Sequence, residues 1–229
     1  MTARFDVVAF DADDTLWHSE DSFHATERWF VEAVAPFAPA GVDLSAALRA
    51  TEQAHLPISG YGVKAFTLSM VTAAVAATNA ALPAAVLGQL VERGLAMLTE
   101  TVRLLPDVPQ VLEDVGRDYR VVLVTKGDLV HQTRKVRTSG LEHHFEVIEV
   151  VLEKDVETYA RIIGHLGVDP ARFCMVGNSV RSDVLPVLEL GGHAVHVPYP
   201  YLWEHEHVDH DEELDELTAL AELPARLRA

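Results

Sequence analysis

A chain of 229 residues, 49% of them hydrophobic, can bury a sizeable core and suits one domain carrying an insertion, or two small ones. Its 18 basic and 35 acidic residues give a formal net charge of −17, which works against binding nucleic acid or an anionic membrane surface, because either polyanion is repelled. A phosphorylated ligand would have to be drawn in by local positive groups, not by the field of the whole molecule.

The first predicted element is a buried strand, Val7-Val8-Ala9-Phe10, followed directly by Asp11-Ala12-Asp13-Asp14-Thr15-Leu16. A strand end in an open α/β sheet is where ligands bind, so one carboxylate can act as nucleophile or metal ligand while the other handles protons. Taken alone, Asp13-Asp14-Thr15 reads equally as a polar turn or a helix N-cap, and Asp14 reads as a turn residue. The segment ahead of Asp11 has one Arg and a short apolar run, without the length or cleavage site of a secretory signal.

From His18 to about Tyr119 no strand pattern is convincing, and helices are predicted at Ser22 to Ala35, Leu44 to Gln53, Val63 to Asn79 and Pro83 to Thr101. Pro36, Pro39-Ala40-Gly41, Pro57 and Gly60-Tyr61-Gly62 are the breakers between them. This stretch exceeds any single crossover helix, so the expected organisation is an inserted helical domain, 18–101, within a sheet core formed by 1–17 and 102–229. Ala65 to Leu87 is weakly polar but carries Thr67, Ser69, Thr72, Thr78, Asn79 and Pro83, which fits packed helices and not a membrane span. In Gly60-Tyr61-Gly62-Val63-Lys64, Tyr61 can stack and Lys64 can pair with an anion; a plain helix-helix turn is the other reading.

Strands then recur at Val121 to Val124, Phe145 to Val151, Phe173 to Val176 and Ala194 to Val197, joined by helix-length segments, as in a mostly parallel sheet covered by helices on both faces. Polar groups stand at the strand ends: Thr125-Lys126-Gly127, then Lys154, then Gly177-Asn178-Ser179 with Asp183 beyond. Arg134, Lys135 and Arg137 read as a solvated helix face. Cys174, the one cysteine, lies inside an apolar run and reads as a small buried hydrophobe, in keeping with a reducing cytoplasm. The tract Glu204-His205-Glu206-His207-Val208-Asp209-His210-Asp211 reads as a mobile polar loop, with adventitious metal binding as the lesser reading.

This order of motifs resembles the haloacid dehalogenase-like hydrolase superfamily: Asp11-x-Asp13-x-Thr15, a strand-terminal Thr125, a lysine at Lys154, and the turn from Asn178 to Asp183. The resemblance implies a Rossmann-like core with a helical C1 cap. It implies an aspartyl-phosphate on Asp11, with Asp13 as general acid/base, Lys154 neutralising charge, and Thr125 with the Lys126-Gly127 backbone cradling a phosphoryl group. Dehalogenating relatives lack the second Asp, so Asp13 favours transfer of phosphoryl to water. Mg2+ is the implied metal, on Asp11, the Asp13 carbonyl, and Asn178 or Asp183; a small phosphorylated metabolite is the implied substrate. Two departures stand out: Lys154 is followed by Asp155 where Pro is usual, and Asn178 replaces a common Asp. Lys126, after Thr125, points either at the phosphate or at solvent. A sugar-phosphate mutase and a catalytically weak binding protein are the alternatives on the same scaffold.

Overall fold

The computed structural model describes residues 4–201, 203 and 206–229. The apolar runs form the strands β1 (Val7–Phe10), β2 (Arg120–Lys126), β3 (Val147–Val151), β4 (Phe173–Gly177) and β5 (His193–His196). They make a five-stranded sheet in the order β3-β2-β1-β4-β5, with each neighbouring pair parallel. Alternate side chains serve opposite faces, as the period of two requires. Val8 and Phe10 pack with Val111 and Leu112 of α5 (Val108–Gly116), Val136 of α6 (Leu129–Ser139) and Leu223 of α9 (Leu223–Arg228). Val7 and Ala9 pack with Tyr159 and Ile162 of α7 (Val156–Leu166) and Val187 of α8 (Leu185–Glu189). Cys174 is buried within β4, and burial pushes its thiol up to about 12, so it is an inert apolar filler.

The register decides where the chemistry stands. Phe10 is opposite Leu123 on one side and Val176 on the other, so Asp11 and Asn178, each just past its strand, and Thr125, near the end of β2, stand at one carboxyl edge. Lys126 is opposite Val151, which places the chain leading to Lys154 at the same edge.

The chain divides into two compact units, one running to Glu20 and resuming at Val102, the other spanning Asp21–Thr101. The second is helical: α1 (Glu20–Val34), α2 (Leu44–Ser59), α3 (Val63–Ala77) and α4 (Ala84–Thr99) bury Phe30, Leu48, Met70 and Leu90 together. At Gly94 an added Cβ would lie 2.0 Å from Thr67 Oγ1, so α3 and α4 approach each other where only glycine fits. Pro57 does not break α2 as its sequence suggests; it sits inside the last turn, and the helix closes with Gly60 N–H donating to the Leu56 carbonyl. That late in the helix, Pro57 removes only the bond to the carbonyl of exposed Gln53, which water can take. No helix among the described residues is long and apolar enough to cross a membrane.

Candidate active site

Asp11 follows the central strand, held by its backbone N–H donating to the Val176 carbonyl at 2.9 Å. Its side chain is 9% exposed and receives Lys154 Nζ at 2.5 Å on Oδ1 and the Thr15 hydroxyl at 3.0 Å on Oδ2. Lys154 also donates to Asp183 Oδ1 at 2.7 Å, so one buried cation serves two buried carboxylates. Burial pushes the Asp11 carboxyl up to about 7; Lys154 pulls the other way, and Asp183 adds to the push. Burial alone would lower the Lys154 ammonium, but the two carboxylates outweigh it and hold its proton firmly. Asp155, standing where proline is usual, caps α7 by accepting the Thr158 N–H at 2.8 Å, so Lys154 leads straight into an anchored helix.

Asp183 is fixed from its other side by the Ser179 N–H, 3.0 Å from Oδ2. It lies on one turn of π-helix, Val180–Val184, and folds back over Gly177, where an added Cβ would be 2.2 Å from Asp183 Oδ2. Both Asp183 oxygens are therefore engaged, and it is Asn178 that stands beside the first motif. With its amide nitrogen turned inward, Asn178 lies 3.3 Å from Asp11 Oδ2 and 3.2 Å from the Asp13 carbonyl.

Asp13 is less buried, its side chain 30% exposed, and three other side chains hold it. Lys135 Nζ donates at 2.5 Å and 2.7 Å to its two oxygens, Trp17 Nε1 at 2.6 Å, and Gln132 Nε2 at 3.0 Å. Burial would raise this carboxyl, but Lys135 and the other donors outweigh it and hold it below the usual carboxylate range. Lys135 thus departs from its reading as part of a solvated face: on α6 it follows buried Gln132 by three residues, and that spacing puts both side chains on one side of the helix. Gln132 Nε2 also lies 2.6 Å from Thr125 Oγ1 and 3.1 Å from the Lys126 carbonyl. The next residue, Asp14, has φ of 62° and accepts the N–H groups of Ser19 and Glu20 at 2.8 Å and 3.1 Å, anchoring the start of α1.

Lys126 is mostly buried and is held by protein groups. Its Nζ pairs with Glu206 at 2.5 Å and lies 3.2 Å from Ser182 Oγ. Glu206 also accepts the hydroxyls of Ser179 and Ser182 at 2.6 Å and 2.5 Å, so this part of the polar tract is a buried anchor and not a mobile loop. Glu204 and His205 lie outside the described residues, whereas His207 to Asp211 are exposed. Gly127, with φ of 142°, donates its N–H to the Val151 carbonyl at 3.3 Å. Tyr61 and Lys64 stand at the α2–α3 turn of the helical unit, between Gly60 with φ of 67° and the first turn of α3. Among the described residues no cluster of three or more His, Cys, Asp or Glu side chains is arranged to hold a metal ion by itself.

The model of the haloacid dehalogenase-like hydrolase family matches residues 5–191. This chain belongs to that family. Among solved structures, a haloacid dehalogenase-like family hydrolase from Xanthomonas campestris is 40% identical with a TM-score of 0.89, over 99% of this chain and 91% of that one. A 2-haloacid dehalogenase from Pseudomonas syringae shares the fold at 20% identity and a TM-score of 0.66, over 97% and 98% of the two chains. The N-acylneuraminate-9-phosphatase of Rattus norvegicus is 30% identical over 90 residues, which is 37% of this chain and 36% of that relative's length. The likenesses of this hydrolase thus include both phosphatases and dehalogenases.

Proposed function

We propose that this hydrolase is a phosphatase of small phosphate monoesters that works with Mg2+ through an aspartyl-phosphate on Asp11. The observation that carries the reading is the second carboxylate. Asp13 stands two residues from the lysine-held Asp11 and shares Gln132 with the strand-end hydroxyl of Thr125. Cleaving a carbon–halogen bond needs a nucleophile but no acid for the leaving halide, whereas an alkoxide leaving phosphorus needs a proton. In the resembled family the dehalogenating members lack this Asp.

The residues divide the work as follows. An Asp11 oxygen attacks phosphorus, the ester P–O bond breaks, and Asp13, which takes up a proton when the charge of the bound phosphate opposes the pull of Lys135, gives that proton to the departing oxygen. Water then attacks phosphorus, its proton passes to Asp13, and the bond to Asp11 breaks to release inorganic phosphate. Thr125 accepts the Gln132 N–H and so has its own hydroxyl proton for a phosphoryl oxygen. Lys154 offsets charge at the nucleophile. The helical unit is proposed as the C1 cap, with Tyr61 and Lys64 as contacts for the leaving group.

The donor set suits a hard cation. Asp11 Oδ2, the Asp13 carbonyl and the Asn178 amide converge, the amide would turn its oxygen inward to hold a cation, and the single charge of Lys154 leaves one of the two carboxylates around it uncompensated. Mg2+ held there would offset negative charge on the phosphoryl group. Asp183, engaged by Lys154 and the Ser179 N–H, is proposed as the group that orients this lysine.

The test is phosphate release from p-nitrophenyl phosphate and a panel of natural esters, with and without Mg2+, for the parent and Asp11→Asn. The panel includes an N-acylneuraminate 9-phosphate, the kind of ester in the rat relative's name, and 2-chloropropionate is assayed beside it for chloride release. Magnesium-dependent phosphate release that disappears in Asp11→Asn is expected. Chloride release without phosphate release would overturn the reading.

A further inference from the structure

We propose that Lys135, with Gln132, is a positioning residue for proton transfer: the two fix the Asp13 carboxylate and couple it to Thr125, so that the proton-handling and phosphoryl-binding groups form one rigid unit. The inference rests on the phosphatase reading of Asp13.

Asp13 lies in a turn between a strand end and left-handed Asp14, so no sheet ladder fixes its side chain. The positioning comes from elsewhere. Asp128 caps α6 two residues after β2 ends, accepting the His131 N–H at 2.9 Å, and this ties the helix rigidly to the strand that carries Thr125. One face of that helix then presents Gln132 and Lys135. Gln132, 2% exposed, lies between Thr125 Oγ1, the Lys126 carbonyl and Asp13 Oδ2. Lys135, 13% exposed, reaches both Asp13 oxygens, with its ammonium 6.0 Å from the ring centroid of fully buried Trp17. An ordinary surface ion pair uses one mobile contact and contributes little. Here two donors of one lysine and two further side chains fix both oxygens of a single carboxylate, an arrangement that confines its rotamer. Misplacing a reacting group by about 1 Å can cost on the order of a hundredfold in rate.

The test compares kcat/KM on two esters for the parent, Lys135→Met, Lys135→Arg, Asp13→Asn and the double variant Asp13→Asn/Lys135→Met. An alkyl phosphate needs a proton on its leaving oxygen as the P–O bond breaks; p-nitrophenyl phosphate releases a stable anion and does not. Lys135→Met is expected to lose about a hundredfold on the alkyl ester and less than about tenfold on p-nitrophenyl phosphate. Lys135→Arg should recover part of the loss, and Lys135→Met should add little once Asp13 is already Asn. Equal losses on both esters, or the full Lys135→Met loss in the Asp13→Asn background, would overturn the inference. If Asp13→Asn itself lowers both esters equally, the proton-transfer role of Asp13 fails instead, which separates the two failures. Gln132→Met carries the same comparison should Lys135→Met not fold: dependence on the leaving group supports the inference, and equal loss overturns it.

Discussion

Asp11 with Lys154 and Asp13 with Lys135 are both aspartate–lysine pairs, set two residues apart on the same loop, yet the fold builds them by different means. The first joins strand ends: both groups are almost fully buried, and the cation is shared with Asp183, so negative charge exceeds positive. The second joins a turn to a helix face, is partly open, and balances one charge with one. A buried site with unequal charges suits a nucleophile that works beside a cation; a balanced, more accessible one holds its carboxylate ionised and in a fixed orientation within reach of water.

The sharpest way to break this contrast is to remove the nucleophile. Asp11→Asn should lower turnover at least about ten-thousandfold, as loss of a covalent nucleophile does. Asp13→Asn should cost less on an activated ester, and equal losses would erase the distinction. Next comes the shared cation. Lys154→Met leaves Asp11 and Asp183 buried without it and should cost about 3–5 kcal/mol of stability in urea unfolding; Lys135→Met, whose partner can reach water, should cost clearly less.

Another depressed carboxylate, besides Asp13, tests the same electrostatics away from the reaction. Burial would raise Glu206, but Lys126 and two serine hydroxyls bring it down to about 2, against 4.5 for an ordinary glutamate. A carboxylate lowered on folding stabilises above its unfolded value and loses that contribution as pH falls toward its folded one. Glu206→Gln should therefore cost about 3 kcal/mol near neutral pH, with the gap to the parent closing between pH 4.5 and about 2. A gap independent of pH would point to packing instead. The smallest effect concerns the uncompensated charge at the first pair: Asn178→Asp should tighten Mg2+ binding roughly tenfold by calorimetry.

The sheet and its strand-end groups were legible because buried parallel strands are continuous apolar runs, and Asp11, Thr125 and Asn178 each follow one. Lys135 was hidden by its company. Beside Arg134 and Arg137 it looks like one more solvated cation, and only its spacing from Gln132, a polar residue on the helix side that also buries Val136, marks the face that turns inward. Glu206 gave no local signal either, since it lies in a uniformly polar tract and its partner is 80 residues away in sequence. Pro57 misled through position: a breaker rule written for helix interiors does not hold in the last turn.

Glu206 also ties the segment after β5 to the carboxyl edge of the sheet. It is buried immediately ahead of the exposed stretch 207–213, and it grips the residue after Thr125 together with Ser179 and Ser182 of the turn that follows β4. A fluorophore placed within 207–213 is therefore expected to report any change that breaks the Glu206 contacts with Lys126, Ser179 and Ser182.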